Sequence, residues 1–211
     1  MTDNLHSSSL MLFHELLAAI VTAMEARDSY TASHSSRVAD IAQYLCKWLR
    51  LPDAQAELIH IAAHVHDIGK IGIPDAILHK SGKLTNHEWE VMRRHPMIGY
   101  NILSKVSGFH DIALCVRHHH ERWDGSGYPD GLSGMAIPLG ARIISLADSV
   151  DAMMSVRKYR QKLTAAYCRN EIARCCGSMY DPQIAAVLLA HWTEIAPLLG
   201  QEDEPPKNNT F

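Results

Sequence analysis

Apolar residues that recur every three or four positions constrain this chain of 211 residues more than any other feature. Their spacing predicts amphipathic helices, whereas no stretch of four or more residues alternates with the period of two that a half-buried strand requires. We therefore expect an all-α protein that folds as a single domain. The predicted helices cover residues 10–24, 38–49, 52–65, 86–95, 97–104, 110–118, 138–154, 164–175 and 182–192.

Local signals sharpen the positions of some of these helices. Thr85 followed by Glu88 is the pattern of a capping box, so a helix should begin just after Thr85 and run to His95, which precedes a proline. Segment 68–78 contains two glycines and a proline among isoleucines, and this composition predicts a buried, tightly turned connection. Segment 123–134 is dense in glycine, aspartate and proline and is therefore predicted to be a loop.

Composition divides the chain into three segments. Residues 1–24 are expected to form an N-terminal helix, which the polar run beginning at Arg27 should end. Residues 25–195 are expected to form the main domain. Residues 196–211 are polar and proline-containing, and they are predicted to be a disordered tail.

Charge and composition exclude several classes of function. The chain has 20 Lys+Arg against 23 Asp+Glu, a formal charge of -3, so it is not expected to bind polymeric nucleic acid through bulk positive charge. It has no apolar run of membrane-spanning length and no signal-peptide pattern, which predicts a cytoplasmic protein. The five cysteines are odd in number and form no CxxC motif, so we interpret them as free buried thiols.

Histidine is the unusual residue type, with 14 copies, several of them beside aspartates. Imidazole and carboxylate ligands without thiolate suit iron, manganese or zinc, and a carboxylate can bridge two ions in a two-metal hydrolase. A single histidine fits a structural role, but the whole set predicts a metal centre. The candidates are expected to close three predicted helices and to lie within a fourth, as His66-Asp67, His95, His119-His120 and Asp148.

Five motifs, in order along the chain, resemble the HD-GYP family, which is named for a His-Asp pair and a Gly-Tyr-Pro loop. They are HDIGKIGIPD at 66–75, HPMIG at 95–99, HHHERWDGSGYPDGL at 118–132, IPLGARII at 137–144 and ADSVDAM at 147–153. The resemblance implies a helical HD-superfamily fold with residues 25–195 as the catalytic domain. It also implies a metal-dependent phosphodiesterase that cleaves cyclic di-GMP to the linear dinucleotide or onward to GMP, with iron or manganese as the metal.

The resemblance further implies roles for individual residues. Lys70 would balance charge on a phosphate oxygen during attack, so it joins Asp67 as a catalytic residue. Tyr128 would contact the substrate, and Arg157 and Arg160 would bind its phosphates or guanines. The arginine segment departs from the family's Arg-Pro-Tyr-Arg, because it reads Arg-Lys-Tyr-Arg here. The family's metal ligands match His66, Asp67, His95, His119, His120 and Asp148, with Asp67 as the bridge between ions.

One departure bears on the number of ions. Three-metal members of the family carry a glutamate four residues before an upstream histidine that matches His34, whereas Tyr30 stands at that position here. A phenol is a weaker ligand for a hard divalent ion than a carboxylate, so two ions are expected. His34 is then expected to support another ligand, to face the substrate or to serve a third ion. His60 and His64 are spaced like a zincin pair but lack its glutamate, so we interpret them as structural.

Two other functions stay open at this point. A non-catalytic HD-GYP module would keep the fold and signal by contacting partners, for example through the Gly-Tyr-Pro loop. Alternatively, an HD-type phosphohydrolase would act on another nucleotide, such as a different cyclic dinucleotide. The complete set of six ligands favours catalysis on cyclic di-GMP. Because few residues precede the similarity, we also expect a regulatory protein partner to supply sensory input.

Overall fold

The computed structural model describes residues 19–23, 26–27, 34–155 and 163–195. Every regular element in these ranges is a helix, and the predicted all-α class is confirmed. The same residues contain no helix with the length and apolar character needed to cross a membrane. The helices are α1 (His34–Trp48), α2 (Asp53–His64), α3 (Asp75–Leu78), α4 (Asn86–Met92), α5 (His95–Leu103), α6 (His110–His118), α7 (Leu139–Met154), α8 (Ala165–Arg174), α9 (Pro182–Ala190) and α10 (Trp192–Ile195), with 310 helices at Ile68–Gly72 and Gly134–Ala136.

Helix α7 lies at the centre of the fold. It packs against α1, α2, α6, α8 and α9. These contacts bury the apolar face that the sequence predicts. Ile143, Ile144 and Val150 are fully buried, so each removes its apolar side chain from water and stabilises the fold by about 1.5 to 3 kcal/mol. Because α7 is surrounded by other helices, most of its residues are buried, including the polar Asp151.

The capping box that the sequence predicts is present, but the helix it begins is shorter than expected. The Thr85 hydroxyl accepts from the backbone N–H of Glu88, and the Glu88 carboxylate accepts from the backbone N–H of Thr85. Helix α4 ends at Met92, so the prediction that His95 closes it is wrong. His95 is instead the first residue of α5, with Pro96 behind it, because a proline ring fits the first turn of a helix at no cost in hydrogen bonds.

Three further interpretations need correction. Arg27 was expected to be part of a helix break, but residues 26–27 are helical; the rest of the expected break, Asp28 and Ser29, lies outside the described residues. The connection at 68–78 is only partly buried, because Ile73 is buried while Ile71 is 58% exposed. All five cysteines are free and four are buried, but Cys176 is exposed. The predicted N-terminal helix and disordered tail fall largely outside the described residues and stay predictions.

Candidate metal centre

The helices bring the six candidate ligands to one place. His66 and Asp67 follow α2, and His95 begins α5. His119 and His120 follow α6, and Asp148 lies within α7. His34, at the start of α1, joins them. The ligand atoms form three overlapping groups, each with its atoms within 4.8 Å of one another: His95, His119 and His120; His66, Asp67 and His119; His34, His66 and Asp148.

Asp67 stands between two sides of this cluster. One carboxylate oxygen lies 3.3 Å from the Nε2 atom of His95, and the other lies 3.4 Å from the Nε2 atom of His66. The side chain is almost completely buried. We call the group of His95, His119 and His120 the His95 side, and the group of His34, His66 and Asp148 the His34 side. The two oxygens of one carboxylate thus face both sides, as a bridging ligand requires.

Three of the histidines are oriented in the same way. His66, His95 and His119 each contact, through Nδ1, the carbonyl oxygen three residues earlier, at 2.7, 2.9 and 2.6 Å. A carbonyl only accepts, so Nδ1 carries the proton in each ring and the Nε2 lone pair points into the cluster. This arrangement fixes both the tautomer and the ring orientation that a metal ligand needs.

The inward-facing nitrogen atoms fit a bound cation. The Nε2 atoms of His95 and His119 lie 3.4 Å apart, and with both protons on Nδ1 two lone pairs face each other. The Nε2 atom of His66 is buried and has no hydrogen-bond partner among the described residues. Burial lowers the pKa of His95 and His119 and brings that of His120 to about 3, so these imidazoles are neutral. Neutral imidazoles and carboxylates together suit a first-row divalent ion.

His34 is held by a carboxylate rather than by a carbonyl. Its Nδ1–H donates to Asp151 at 2.6 Å, which turns Nε2 to within 3.4 Å of Asp148. Asp151 is 1% exposed and also accepts from the Arg37 guanidinium and the Ser155 hydroxyl. Carboxylate-to-histidine support of this kind increases the basicity of a metal ligand. The sequence analysis missed Asp151, whose only signal is its place three residues after Asp148 in ADSVDAM.

Charge around the two carboxylates keeps them ionised. Burial of Asp67 opposes its ionisation, yet the Lys70 ammonium and the surrounding imidazoles hold the pKa of Asp67 well below its usual range. Burial likewise opposes ionisation of Asp151, but its hydrogen bonds with His34 and Arg37 bring that pKa to about 2. Both groups are therefore anionic at neutral pH and available to balance bound cations.

Lys70 faces the cluster from the 310 helix Ile68–Gly72. Its Nζ atom lies 2.6 Å from the Asp67 carboxylate oxygen that also faces His66. A lysine with a purely solvated role would point away from this buried group. The geometry thus puts an ammonium beside the carboxylate that faces both sides of the cluster.

Tyr128 covers one edge of the His95 side. Its ring stacks on the imidazole of His120, with centroids 4.9 Å apart and planes 27° apart. The Arg93 guanidinium lies 4.4 Å from the centroid of the Tyr128 ring, a cation–π contact that the sequence analysis did not foresee. Burial raises the pKa of Tyr128, so the phenol is neutral and can donate a hydrogen bond.

Backbone contacts fix the loop that carries Tyr128. The buried carboxylate of Glu121 accepts from the backbone N–H groups of Asp130 and Gly131, at 2.7 and 3.1 Å. A Cβ atom added to Gly127 would lie 2.5 Å from the Glu121 Cα atom, so only glycine allows the loop to pass this close. The loop predicted from composition is therefore fixed against Glu121 both at Gly127 and directly after Pro129.

His118, the first of the three consecutive histidines, has a different environment from the next two. Its Nε2 atom lies 2.9 Å from a carboxylate oxygen of Asp130, which also accepts from the Arg117 guanidinium. This contact connects His118 to the loop and not to the cluster. The pKa of Asp130 is about 2, chiefly because Arg117 hydrogen-bonds to it.

The remaining candidates divide into two groups. The Nε2 atoms of His60 and His64 lie 3.2 Å apart, and His60 also contacts the carbonyl of Ala39, so these two rings are hydrogen-bonded within the fold. Tyr30, Arg157 and Arg160 lie outside the described residues.

Comparison with known proteins agrees with this fold. A family model described as an HD domain matches residues 19–184. The fold resembles the crystal structure of a cyclic GMP-AMP-specific phosphodiesterase of Vibrio cholerae, V-cGAP3, with a TM-score of 0.67 at 18% identity over 90% of this chain and 51% of that one. It also resembles the HD domain of the phosphodiesterase PgpH of Listeria monocytogenes, with a TM-score of 0.60 at 19% identity over 86% of this chain and 97% of that one.

Curated relatives are considerably closer in sequence. The chain is 41% identical to RpfG, a cyclic di-GMP phosphodiesterase response regulator of Xanthomonas campestris, over 89% of this chain and 50% of the relative. It is 39% identical to the 3'3'-cGAMP-specific phosphodiesterase 2 of Vibrio cholerae, over 85% of this chain and 35% of the relative. The chain belongs to the HD domain family, and the resemblance of its motifs to the HD-GYP group is confirmed. It spans about half the length of RpfG and less of the second relative.

Proposed function

We propose that this chain is a metal-dependent phosphodiesterase that hydrolyses cyclic di-GMP. The observation that supports this most directly is the buried Asp67 carboxylate, whose two oxygens face imidazoles on opposite sides of one cluster. Relatives named as cyclic di-GMP phosphodiesterases match most of the chain, including the Thermotoga maritima protein at 38% identity. A carboxylate in this position can bridge the two ions of a two-metal hydrolase.

In this proposal the two sides of the cluster hold one divalent ion each, with iron or manganese preferred. The His95 side offers three neutral imidazoles, and the His34 side offers two imidazoles and the Asp148 carboxylate, with Asp67 common to both. When bound, ions of this kind would polarise a phosphodiester and lower the pKa of a bound water molecule to about 7. His34 is thus assigned to the ligand set, in addition to the six residues that the family pattern names.

The other residues of the site bind and orient the substrate. The Lys70 ammonium, beside Asp67, is positioned to balance charge on a non-bridging phosphate oxygen. The Tyr128 ring already contacts His120 and Arg93, so the Tyr128 hydroxyl and the Arg93 guanidinium are proposed to contact the substrate through hydrogen bonds. Arg157 and Arg160 are proposed to bind the phosphates or guanines, since guanidinium forks suit both.

A second substrate follows from the comparisons. Several relatives of similar identity are named as specific for 3'3'-cGAMP, including phosphodiesterase 3 of Vibrio cholerae at 43%. Both molecules are cyclic dinucleotides with two phosphodiesters, so the metal cluster itself would not distinguish them. The groups that contact the second base decide between them.

The test begins with anaerobically purified protein and analysis of its metal content. We expect about two ions per chain, because Tyr30 replaces the glutamate of three-metal members. The loaded protein is then incubated with cyclic di-GMP and, separately, with 3'3'-cGAMP, and the products are separated by chromatography. We expect the linear dinucleotide from cyclic di-GMP at the higher rate.

Other results would have clear meanings. Three tightly held ions per chain would show that the Tyr30 argument is wrong. Faster cleavage of 3'3'-cGAMP would show that 3'3'-cGAMP, and not cyclic di-GMP, is the preferred substrate. A folded protein with two ions that cleaves neither compound would support the non-catalytic module. A regulatory protein partner and a cytoplasmic location stay predictions.

A further inference from the structure

We propose that Arg27 is a positioning residue that holds the Lys70 segment in place for the hydrolysis proposed above. Arg27 lies in the helical residues 26–27, more than 40 residues before the segment it contacts. Its guanidinium donates to the carbonyl oxygens of Lys70, Ile71 and Ile73 at 3.0, 2.6 and 2.7 Å. It also donates twice to the Asp75 carboxylate, at 3.2 and 2.8 Å.

These contacts occupy the whole hydrogen-bonding capacity of the side chain. A guanidinium has five N–H groups in a fixed planar fork, and five hydrogen bonds are formed. Two of the five lead to carbonyl oxygens of the 310 helix, and the other three lead to Ile73 and Asp75 directly after it. The carbonyl oxygen of Lys70 also accepts from the backbone N–H of Ile73. Because carbonyl groups near the end of a helix commonly lack helical partners, a donor from elsewhere in the chain adds to how that end is held.

The same segment is also fixed by α5. A Cβ atom added to Gly69 would lie 1.8 Å from the carbonyl oxygen of His95 and 2.6 Å from the backbone nitrogen of Gly99. A Cβ atom on Gly72 would lie 3.0 Å from the side chain of Ile98. The 310 helix is therefore held between α5 on one face and the Arg27 guanidinium on its carbonyls.

Lys70 projects from the middle of this held segment. Its Nζ atom reaches the Asp67 carboxylate at 2.6 Å, whereas the next residue, Ile71, is 58% exposed. Exposed segments with few apolar contacts open locally at low cost in free energy. Without the Arg27 hydrogen bonds, the outer side of the segment would lack its main polar support, and the Lys70 ammonium would no longer be fixed relative to Asp67.

A different role would be purely structural, in which Arg27 only attaches the N-terminal residues to the domain. The two roles differ in whether Lys70 is needed for the effect. We therefore compare Arg27→Gln in the natural chain with Arg27→Gln in a Lys70→Met background, in a double-mutant cycle. The substrate is cyclic di-GMP, and the exposed Arg169, replaced as Arg169→Gln, is the matched control.

In the natural background, Arg27→Gln should lower kcat by roughly ten- to a hundredfold with a smaller change in KM, as a misplaced reacting group does. In the Lys70→Met background it should lower kcat no further. Arg27→Lys should behave like Arg27→Gln, since one ammonium cannot span three carbonyls and a carboxylate. Because lysine keeps the charge, Arg27→Lys also serves if Arg27→Gln folds poorly. Asp75→Asn should have a smaller effect, because the carbonyl contacts remain.

Amide hydrogen exchange gives a second measurement that needs no substrate. Exchange within 68–75 should become faster in Arg27→Gln, while exchange in α7 and in Arg169→Gln stays at the level of the natural protein. Unchanged exchange at 68–75 would overturn the proposal even if the protein had no phosphodiesterase activity. Equal losses of kcat in both backgrounds would also overturn it, as would faster exchange with an unaltered kcat. Failure of the proposed function is recognised separately, because the natural protein itself would then cleave no cyclic dinucleotide.

Discussion

The two sides of Asp67 differ in how their ligands are held. On the His95 side, His95 and His119 each donate to a carbonyl three residues earlier in the chain, so their orientation is fixed by local backbone. On the His34 side, His34 is oriented by Asp151, which lies 117 residues away in sequence. His66 on the His34 side is held like His95 and His119, by the carbonyl oxygen three residues earlier. The difference between the sides therefore lies in His34, whose orientation requires α1 and α7 to be packed together.

The two sides also differ in charge. The three ligands of the His95 side are neutral imidazoles, while the His34 side contains the Asp148 carboxylate and has the ionised Asp151 directly behind His34. Hard divalent ions prefer carboxylate oxygen, and a supporting carboxylate strengthens an imidazole ligand. The comparison indicates that the two sides should respond differently when one supporting residue is removed, and the same when Asp67 is removed.

The largest effect is expected for the residue that both sides share. Asp67→Asn nearly preserves side-chain volume but removes the charge that faces both sides, so turnover of cyclic di-GMP should fall by at least about a thousandfold. Helical content should be unchanged, and thermal stability should fall only by the share that bound metal supplies. Circular dichroism, metal analysis and product chromatography measure these quantities. If the folded, metal-depleted variant still lowered cyclic di-GMP signalling in cells like the natural protein, hydrolysis would not be the working activity.

A smaller and one-sided effect is expected for Asp151→Asn. The amide can still contact His34, but it no longer supplies a negative charge, so metal affinity on the His34 side should fall by roughly 10- to 100-fold. Affinity on the His95 side should stay the same. Calorimetric titration of the metal-free protein with manganese would resolve two classes of site, with the exposed Asp111, replaced as Asp111→Asn, as control. Equal weakening of both classes would remove the distinction between the sides.

Arg157 and Arg160 should affect neither side. Replacing either by alanine should raise KM for cyclic di-GMP severalfold, with a smaller change in kcat and with metal content intact, because the contacts proposed for them would act equally on the bound substrate and the transition state. Steady-state kinetics together with metal analysis measures both. A loss of kcat at natural KM would assign these arginines to the chemical step instead.

The smallest effect concerns the loop above the His95 side. The pKa of Asp130 is about 2, below the value near 3.9 of an unfolded chain, so its contribution to stability is complete above about pH 4 and is lost as the pH falls through about 2. Because Asp130 is partly exposed, Asp130→Asn should lower the free energy of unfolding at pH 7 by less than about 1 kcal/mol.

Urea unfolding at pH 7 and at several pH values below 4 would measure this contribution. The difference between the variant and the natural protein should shrink as the solution becomes more acidic. A difference that stays constant down to the lowest pH would show that the Arg117 contact does not stabilise the fold.

The sequence predicted those parts of the site that depend on short-range pattern. The fold class, the capping box at Thr85 and the convergence of the six family-matched ligands all follow from periodicity or from contiguous motifs. His95 was assigned to the wrong end of a helix because a proline after it is compatible with either a helix end or a helix start.

The supporting residues could not be predicted in the same way. Asp151 and Arg27 act on partners 117 and more than 40 residues away, and such pairs leave no pattern in one sequence. Arg27 was even interpreted as part of a helix break, because a charged residue next to aspartate and serine resembles one locally. Which surface arginine becomes a structural donor is decided by tertiary packing, and periodicity does not contain that information.

The hydrogen bonds that hold the imidazole rings also decide at which step the histidine side chains lose their rotamer entropy. A histidine that is free to rotate must lose rotamer entropy each time it captures an ion, whereas His34, His66, His95 and His119 lose theirs once, as the chain folds. Turning any of these rings over would break its Nδ1 hydrogen bond inside the protein. An ion that binds this cluster would therefore meet ligands that are already arranged, and little of the binding free energy would be lost in rearranging the protein.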